Sequence, residues 1–82
     1  LNKRKLYSKI VQSQKNVRYL DLVLIVEAFG FCCSRQEGSH RIYKRDGIQE
    51  FINLQNDNGK AKPYQIKQFL ALVDKHNLNM EG

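Results

Sequence analysis

The chain has 82 residues, 41% hydrophobic and 27% charged, and carries a net charge of +6, a size at which one small core must hold the whole fold. That excludes a separate cofactor domain and favours a shallow surface that handles a polymer over an enclosed small-molecule site. No run approaches the roughly 18 apolar residues of a membrane span; the longest, LVLIVEAF, is interrupted by Glu27. With no apolar signal segment behind the basic start, a soluble cytoplasmic protein without a membrane partner is expected.

The charge is unevenly spread. Residues 1–18 hold Lys3, Arg4, Lys5, Lys9, Lys15 and Arg18 with no acid, which accounts for the whole net charge of +6, and the remainder balances to zero. The sequence therefore divides into a basic N-terminal extension with a short helix (1–18), a domain (19–79) and a tail (80–82). The extension reads as a solvated, partly helical arm whose cations attract nucleic acid at low salt by releasing counterions from phosphates.

In chain order, KLYSKIVQSQ places Leu6, Ile10 and Ser13 on one helical stripe, and Asn16 follows as a turn or cap residue. Leu22, Ile25, Val26 and Phe29 fall at i, i+3, i+4 and i+7, the stripe of an amphipathic helix stopped by Gly30. FCCSRQ, SHRIYK and EFINLQ are short β-prone runs separated by glycine-bearing turns, which predicts a three-stranded antiparallel meander. Pro63 then opens a second long helix, with Ile66, Phe69, Leu70 and Val73 on its apolar stripe. Strands bracketed by helices indicate an α+β fold of order α-β-β-β-α, both helices on one face of the sheet and a short helix in front.

Cys32 and Cys33 are adjacent, so a bond between them would be strained, and reduced thiols are expected. With His40 and His76 they lack the spacing of a zinc site, and no metal or cofactor is expected. His76 lies late in the last helix, where it suits the terminal carbonyls.

The stretch RQEGSHRIYKRDG, residues 35–47, sets His40 directly after Gly38-Ser39 and among Arg35, Arg41, Lys44 and Arg45. If Ile42 faces the helices, His40 and Lys44 share its face; the opposite parity buries Tyr43 and turns His40 outward, and alternation alone does not choose. Gly38 supplies a turn conformation and leaves the backbone bare for a close approach. Ser39 can orient the imidazole or touch a phosphate. Lys60 and Lys62 precede Pro63, where the free amides of a helix N-terminus favour an anion; the bland alternative for both is a solvated loop. The tyrosines show no spaced platform of the kind that stacks single-stranded bases.

The order of EAFGF, then RQEGSHRIYKRDG, then GKAKPYQIKQFLALV resembles the HicA toxin family over roughly residues 19–79. The resemblance implies a double-stranded-RNA-binding-like fold and an mRNA interferase, the endoribonuclease toxin of a type II toxin-antitoxin system, held inactive by a HicB-like antitoxin. It makes His40 the catalytic residue. Gly38, Ser39, Arg41, Lys44, Lys60 and Lys62 are the candidate substrate-binding residues. Many members close the third strand with a Pro-x-His step where this chain reads NLQND. RNA carries its own nucleophile, the 2′-hydroxyl, so positioning and proton transfer suffice without a metal, and imidazole is the side chain that exchanges protons near neutrality. Two other functions share these residues: a non-catalytic RNA-binding module and a protein-binding adaptor.

Overall fold

A computed structural model describes residues 2–81; Leu1 and Gly82, the outer ends of the extension and the tail, lie outside the described residues. The elements run α1 (Lys3–Gln12), α2 (Tyr19–Ala28), β1 (Cys32–Glu37), β2 (His40–Lys44), β3 (Ile52–Gln55) and α3 (Pro63–Lys75). This is the expected α+β arrangement, with strand order β1-β2-β3 and both pairings antiparallel.

Asn2 opens α1 as its N-cap, its side-chain oxygen accepting from the Lys5 amide at 3.1 Å, which satisfies one of the donors left over at a helix start. The solvated, partly helical arm also packs against the rest of the chain. Lys3, Arg4, Lys5 and Lys9 are indeed exposed, but Ile10 is only 2% exposed within the core and the Tyr7 ring lies 5.1 Å from that of Phe29. The helix solvates its charges on one side and closes the core with the other. Asn16 takes a positive φ of 57° in the turn that follows.

Because α1 covers its outer flank, α2 is not the amphipathic helix that its stripe implied: Tyr19, Leu22, Val23, Ile25, Val26 and Ala28 are all buried. Leu20 and Glu27 remain open. Just past the end of the helix stands Gly30, whose φ of +89° favours glycine and whose missing side chain leaves room for a close approach. A Cβ there would stand 2.7 Å from Glu81 Oε1, and the Glu81 amide donates to Ala28 O at 2.7 Å. Glu81 is thus tied back to the end of α2.

The sheet presents two different faces. Tyr43, Ile52 and Leu54 are essentially inaccessible beneath the helices, where Ile66, Phe69 and Val73 of α3 join one core with α2. Phe29 and Phe31 meet Phe69 edge-on, at 5.5 and 6.1 Å between centroids, a geometry that aromatic quadrupoles favour. This settles the parity of β2: Tyr43 is the buried residue and His40 turns outward. Strand β1 is exposed along its length and bulged between Cys33 and Arg35, so the helix layer rests on β2 and β3.

Pro63 occupies the first turn of α3 after the Lys62 cap. Gln65, 3% exposed, accepts from the Gln55 amide through Oε1 at 2.8 Å, which fastens the start of α3 to the end of β3. At its other end α3 is held by Glu50, before β3, which accepts from Lys75 Nζ at 2.6 Å and lies 3.0 Å from His76 Nε2. These contacts, led by the Lys75 hydrogen bond, hold the Glu50 carboxyl down to about 2. His76 therefore meets a carboxylate from a neighbouring loop in addition to its place at the helix end.

Candidate nucleic-acid interface

A tight turn at Gly38-Ser39 delivers His40 as the first residue of β2, the central strand, with Glu37 and Gln55 opposite it on either side. Gly38 has φ +56°, and a Cβ there would meet nothing within 4 Å. The imidazole is exposed on the face that carries no helix. Its Nδ1 lies 3.3 Å from Asn53 Oδ1. Arg35, Glu37, Ile42 and Asn53 complete a shallow depression of about 200 Å³ around it. Arg35 Nε is 3.4 Å from Glu37 Oε1, both side chains being about 70% exposed. Such a pair is worth little in water, so the guanidinium is free to turn to another anion.

Arg41, next along the strand, points the other way. Its guanidinium carbon sits 5.6 Å from the centre of the Tyr19 ring, and Nη1 donates to the Tyr43 hydroxyl at 3.4 Å. That hydrogen bond is the main cause raising its already high pKa. Arg41 makes no ion pair among the described residues. It lines a second depression, of about 340 Å³, with Tyr19, Gly38, Ser39, Asn56 and Gly59. Ser39 anchors this rim by accepting, through its carbonyl, the Asn56 amide at 2.9 Å.

Beside that depression the chain turns back at Asp57–Lys60, closed by reciprocal backbone hydrogen bonds of 3.0 and 2.9 Å. Lys60 is exposed and Lys62 caps α3. Lys60 also forms a backbone bridge with Arg18, flanked by Tyr19 N–H to Gly59 O and Ala61 N–H to Val17 O, each 2.9 Å. One cation of the basic extension is thereby set beside the lysine turn. Sequence spacing offers no signal for this pairing, which joins segments some forty residues apart.

The structure therefore gathers Gly38, Ser39 and Arg41 at one end of the sheet, next to the Lys60 turn, with His40 around the same strand end on the open face. Lys44 is not part of this group. It shares the His40 face but stands four residues along β2, roughly 13 Å away, in a depression with Cys32, Cys33 and Arg45. The residue that sequence reading missed is Asn53: its place beside His40 depends on the β2–β3 register, which puts Asn53 opposite Ile42.

No helix is long and apolar enough to cross a membrane among the described residues. The sheet thus has an open face with His40 at the start of its central strand, and Arg41 and the Lys60 turn lie around the same end. Comparison with curated proteins finds no match, and comparison with solved structures finds none. Comparison with known families matches residues 20–74, more than half of the chain, to the HicA toxin of bacterial toxin-antitoxin systems. That span contains most of α2, the whole sheet, His40 and most of α3, and on it the chain belongs to the HicA toxin family.

Proposed function

We propose that this toxin is an endoribonuclease that cleaves mRNA without a metal, with His40 as its proton-transfer residue. The observation that carries this reading is the exposed imidazole of His40, standing in a shallow polar depression on the helix-free face. The exposed ring is open to an approaching strand of RNA, with its Nδ1 edge turned to Asn53. His40 Nε2 takes the proton of a 2′-hydroxyl, the 2′-oxygen attacks the adjacent phosphorus, and the bond to the 5′-oxygen breaks. The leaving oxygen takes a proton from water, and a 2′,3′-cyclic phosphate remains. Proton transfer of this kind contributes typically 10²–10⁴-fold in rate.

The cations serve position. Arg41, with Gly38 and Ser39 on the rim, receives a phosphate on one side of the strand end, and Lys60 and Lys62 receive the next beside the α3 N-terminus, where Pro63 has no N–H and the Gln65 and Ile66 amides already donate to Lys62 O, so that the ammonium groups carry the contact. Lys44 meets the chain farther along the open face. A HicB-like antitoxin that covers this face with acidic groups silences the toxin by occlusion, and complementary charge speeds its capture. RNA and antitoxin then compete, and His40 in the complex is protected from diethyl pyrocarbonate.

The test is induced expression of wild type beside His40→Ala, scored for growth and transcript integrity. Wild type should arrest growth and fragment transcripts while the variant does neither at equal abundance. Equal transcript loss in both would remove His40 from the chemistry; intact transcripts in both, with RNA retained by the purified protein, would favour the non-catalytic binding module.

A further inference from the structure

We propose that Asn53 is the positioning residue of His40, holding the imidazole with its proton on Nδ1 so that Nε2 presents a lone pair to the substrate. The proposal rests on the reading of His40 as the proton-transfer residue and adds a second group to it. Asn53 sits on β3 opposite Ile42, two positions from the partner of His40, so the two side chains are diagonal neighbours on the open face. Its Oδ1 lies 3.3 Å from His40 Nδ1. An amide oxygen accepts and cannot donate, so the ring nitrogen that faces it carries the hydrogen. Which nitrogen holds the proton is set by the hydrogen bond that the other makes, and here that leaves Nε2 basic.

Asn53 is half-buried while His40 is exposed, which makes the amide the better-restrained partner of the two. Neutrality matters as well as position. The charged groups facing the ring are Glu37 and Arg35 of β1, which are paired with each other at 3.4 Å; β3 contributes only the neutral Asn53 and Gln55, and no helix covers this face. An amide oxygen accepts from the imidazole without bringing the charge of a carboxylate, so what it sets is the tautomer. A histidine positioned by an uncharged partner suits a base that must be deprotonated at neutral pH.

The experiment combines nitrogen-15 NMR of the histidine rings with cleavage kinetics, on the full chain and on Asn53→Leu and Asn53→Asp. In wild type the neutral His40 ring should be predominantly Nδ1-protonated. Asn53→Leu should return it to the Nε2-protonated form that free histidine favours, with kcat lower by about 10–100-fold, by analogy with the loss of a partner that orients a metal-bound imidazole, and KM little changed. Asn53→Asp should keep the tautomer but raise the His40 titration midpoint by about one unit, and carry the ascending limb of the pH–rate profile with it. A wild-type ring protonated on Nε2, or a tautomer and midpoint unmoved in both variants, overturns the proposal. Failure of wild type to cleave RNA would instead count against the nuclease reading, while the NMR arm still decides what Asn53 does to His40.

Discussion

The two faces of β2 carry the same strand's residues in alternation and meet opposite demands. On the covered face, Tyr43 pairs across to Ile52 and is fully buried; on the open face, His40 and Lys44 are exposed and Ile42 is half-buried. The covered face holds the fold, since an 82-residue chain has few other places to bury area. The open face contributes little to stability and is free to keep polar groups that a core would reject. Separate substitutions should therefore remove folding and function independently.

Tyr43→Ala should cause the largest loss. Truncating a buried aromatic costs about 3–5 kcal/mol, a large part of the roughly 5–15 kcal/mol that holds a typical domain together. Urea unfolding should show the midpoint collapse, whereas Ile42→Ala on the other face should lower it by well under half as much. Equal losses would erase the distinction between the faces.

Arg41 sharpens the comparison because it lies at the rim of the covered face yet lines the second depression. Arg41→Ala loses its place on the Tyr19 ring, worth about 0.5–1 kcal/mol, and should flatten the slope of log RNA affinity against log salt by about 1. Lys60→Ala with Lys62→Ala should flatten that slope by about 1–2 with stability unchanged. A slope unmoved by the lysine pair would return both to a solvated loop.

Tyr19→Phe probes the depth of the covered side. The Tyr19 hydroxyl is buried without a hydrogen-bond partner, and burial pushes its pKa up. Removing an unsatisfied buried hydroxyl is neutral or stabilising by up to about 1 kcal/mol, so thermal unfolding should shift upward or stay put; a clear loss of stability would mean that the hydroxyl has a partner.

The smallest expected effect belongs to Glu50. Its folded pKa, about 2, lies below the ordinary carboxylate value of 4.5, so its contribution to stability is present above about pH 4.5 and is lost as pH falls towards 2. Glu50→Gln should flatten the acid limb of the stability curve in that window and leave its shape at neutral pH unchanged. An acid limb of unchanged steepness would discount the Lys75 and His76 contacts.

Helix and strand positions were readable because each carries a local signal: the four-residue stripe from Leu22 to Phe29, Pro63 at the start of α3 and glycine at the turns. The facing of β2 was not, because Ile42 and Tyr43 are adjacent and both apolar, and only packing against Ile52 and Leu54 chooses between them. The same gap hid the burial of α2, whose outer side is covered by a helix read as an arm. Within the site, Gly38-Ser39-His40 was legible as a motif. The separation of Arg41 from His40 followed once parity was fixed, but the nearness of Asn53 and of Arg18 to Lys60 depends on register and long-range pairing, which no local pattern encodes.

Proton transfer by His40 on the open face is proposed to cost the fold little. It is tested most directly by cleavage of a defined RNA with purified wild type and His40→Ala, each checked by circular dichroism and urea unfolding, with the product ends identified. Unfolding midpoints should agree closely, the rate should be at least about 10²-fold lower in the variant, and wild type should leave 2′,3′-cyclic phosphate ends. A folded His40→Ala protein that cuts the same RNA at the wild-type rate would contradict it.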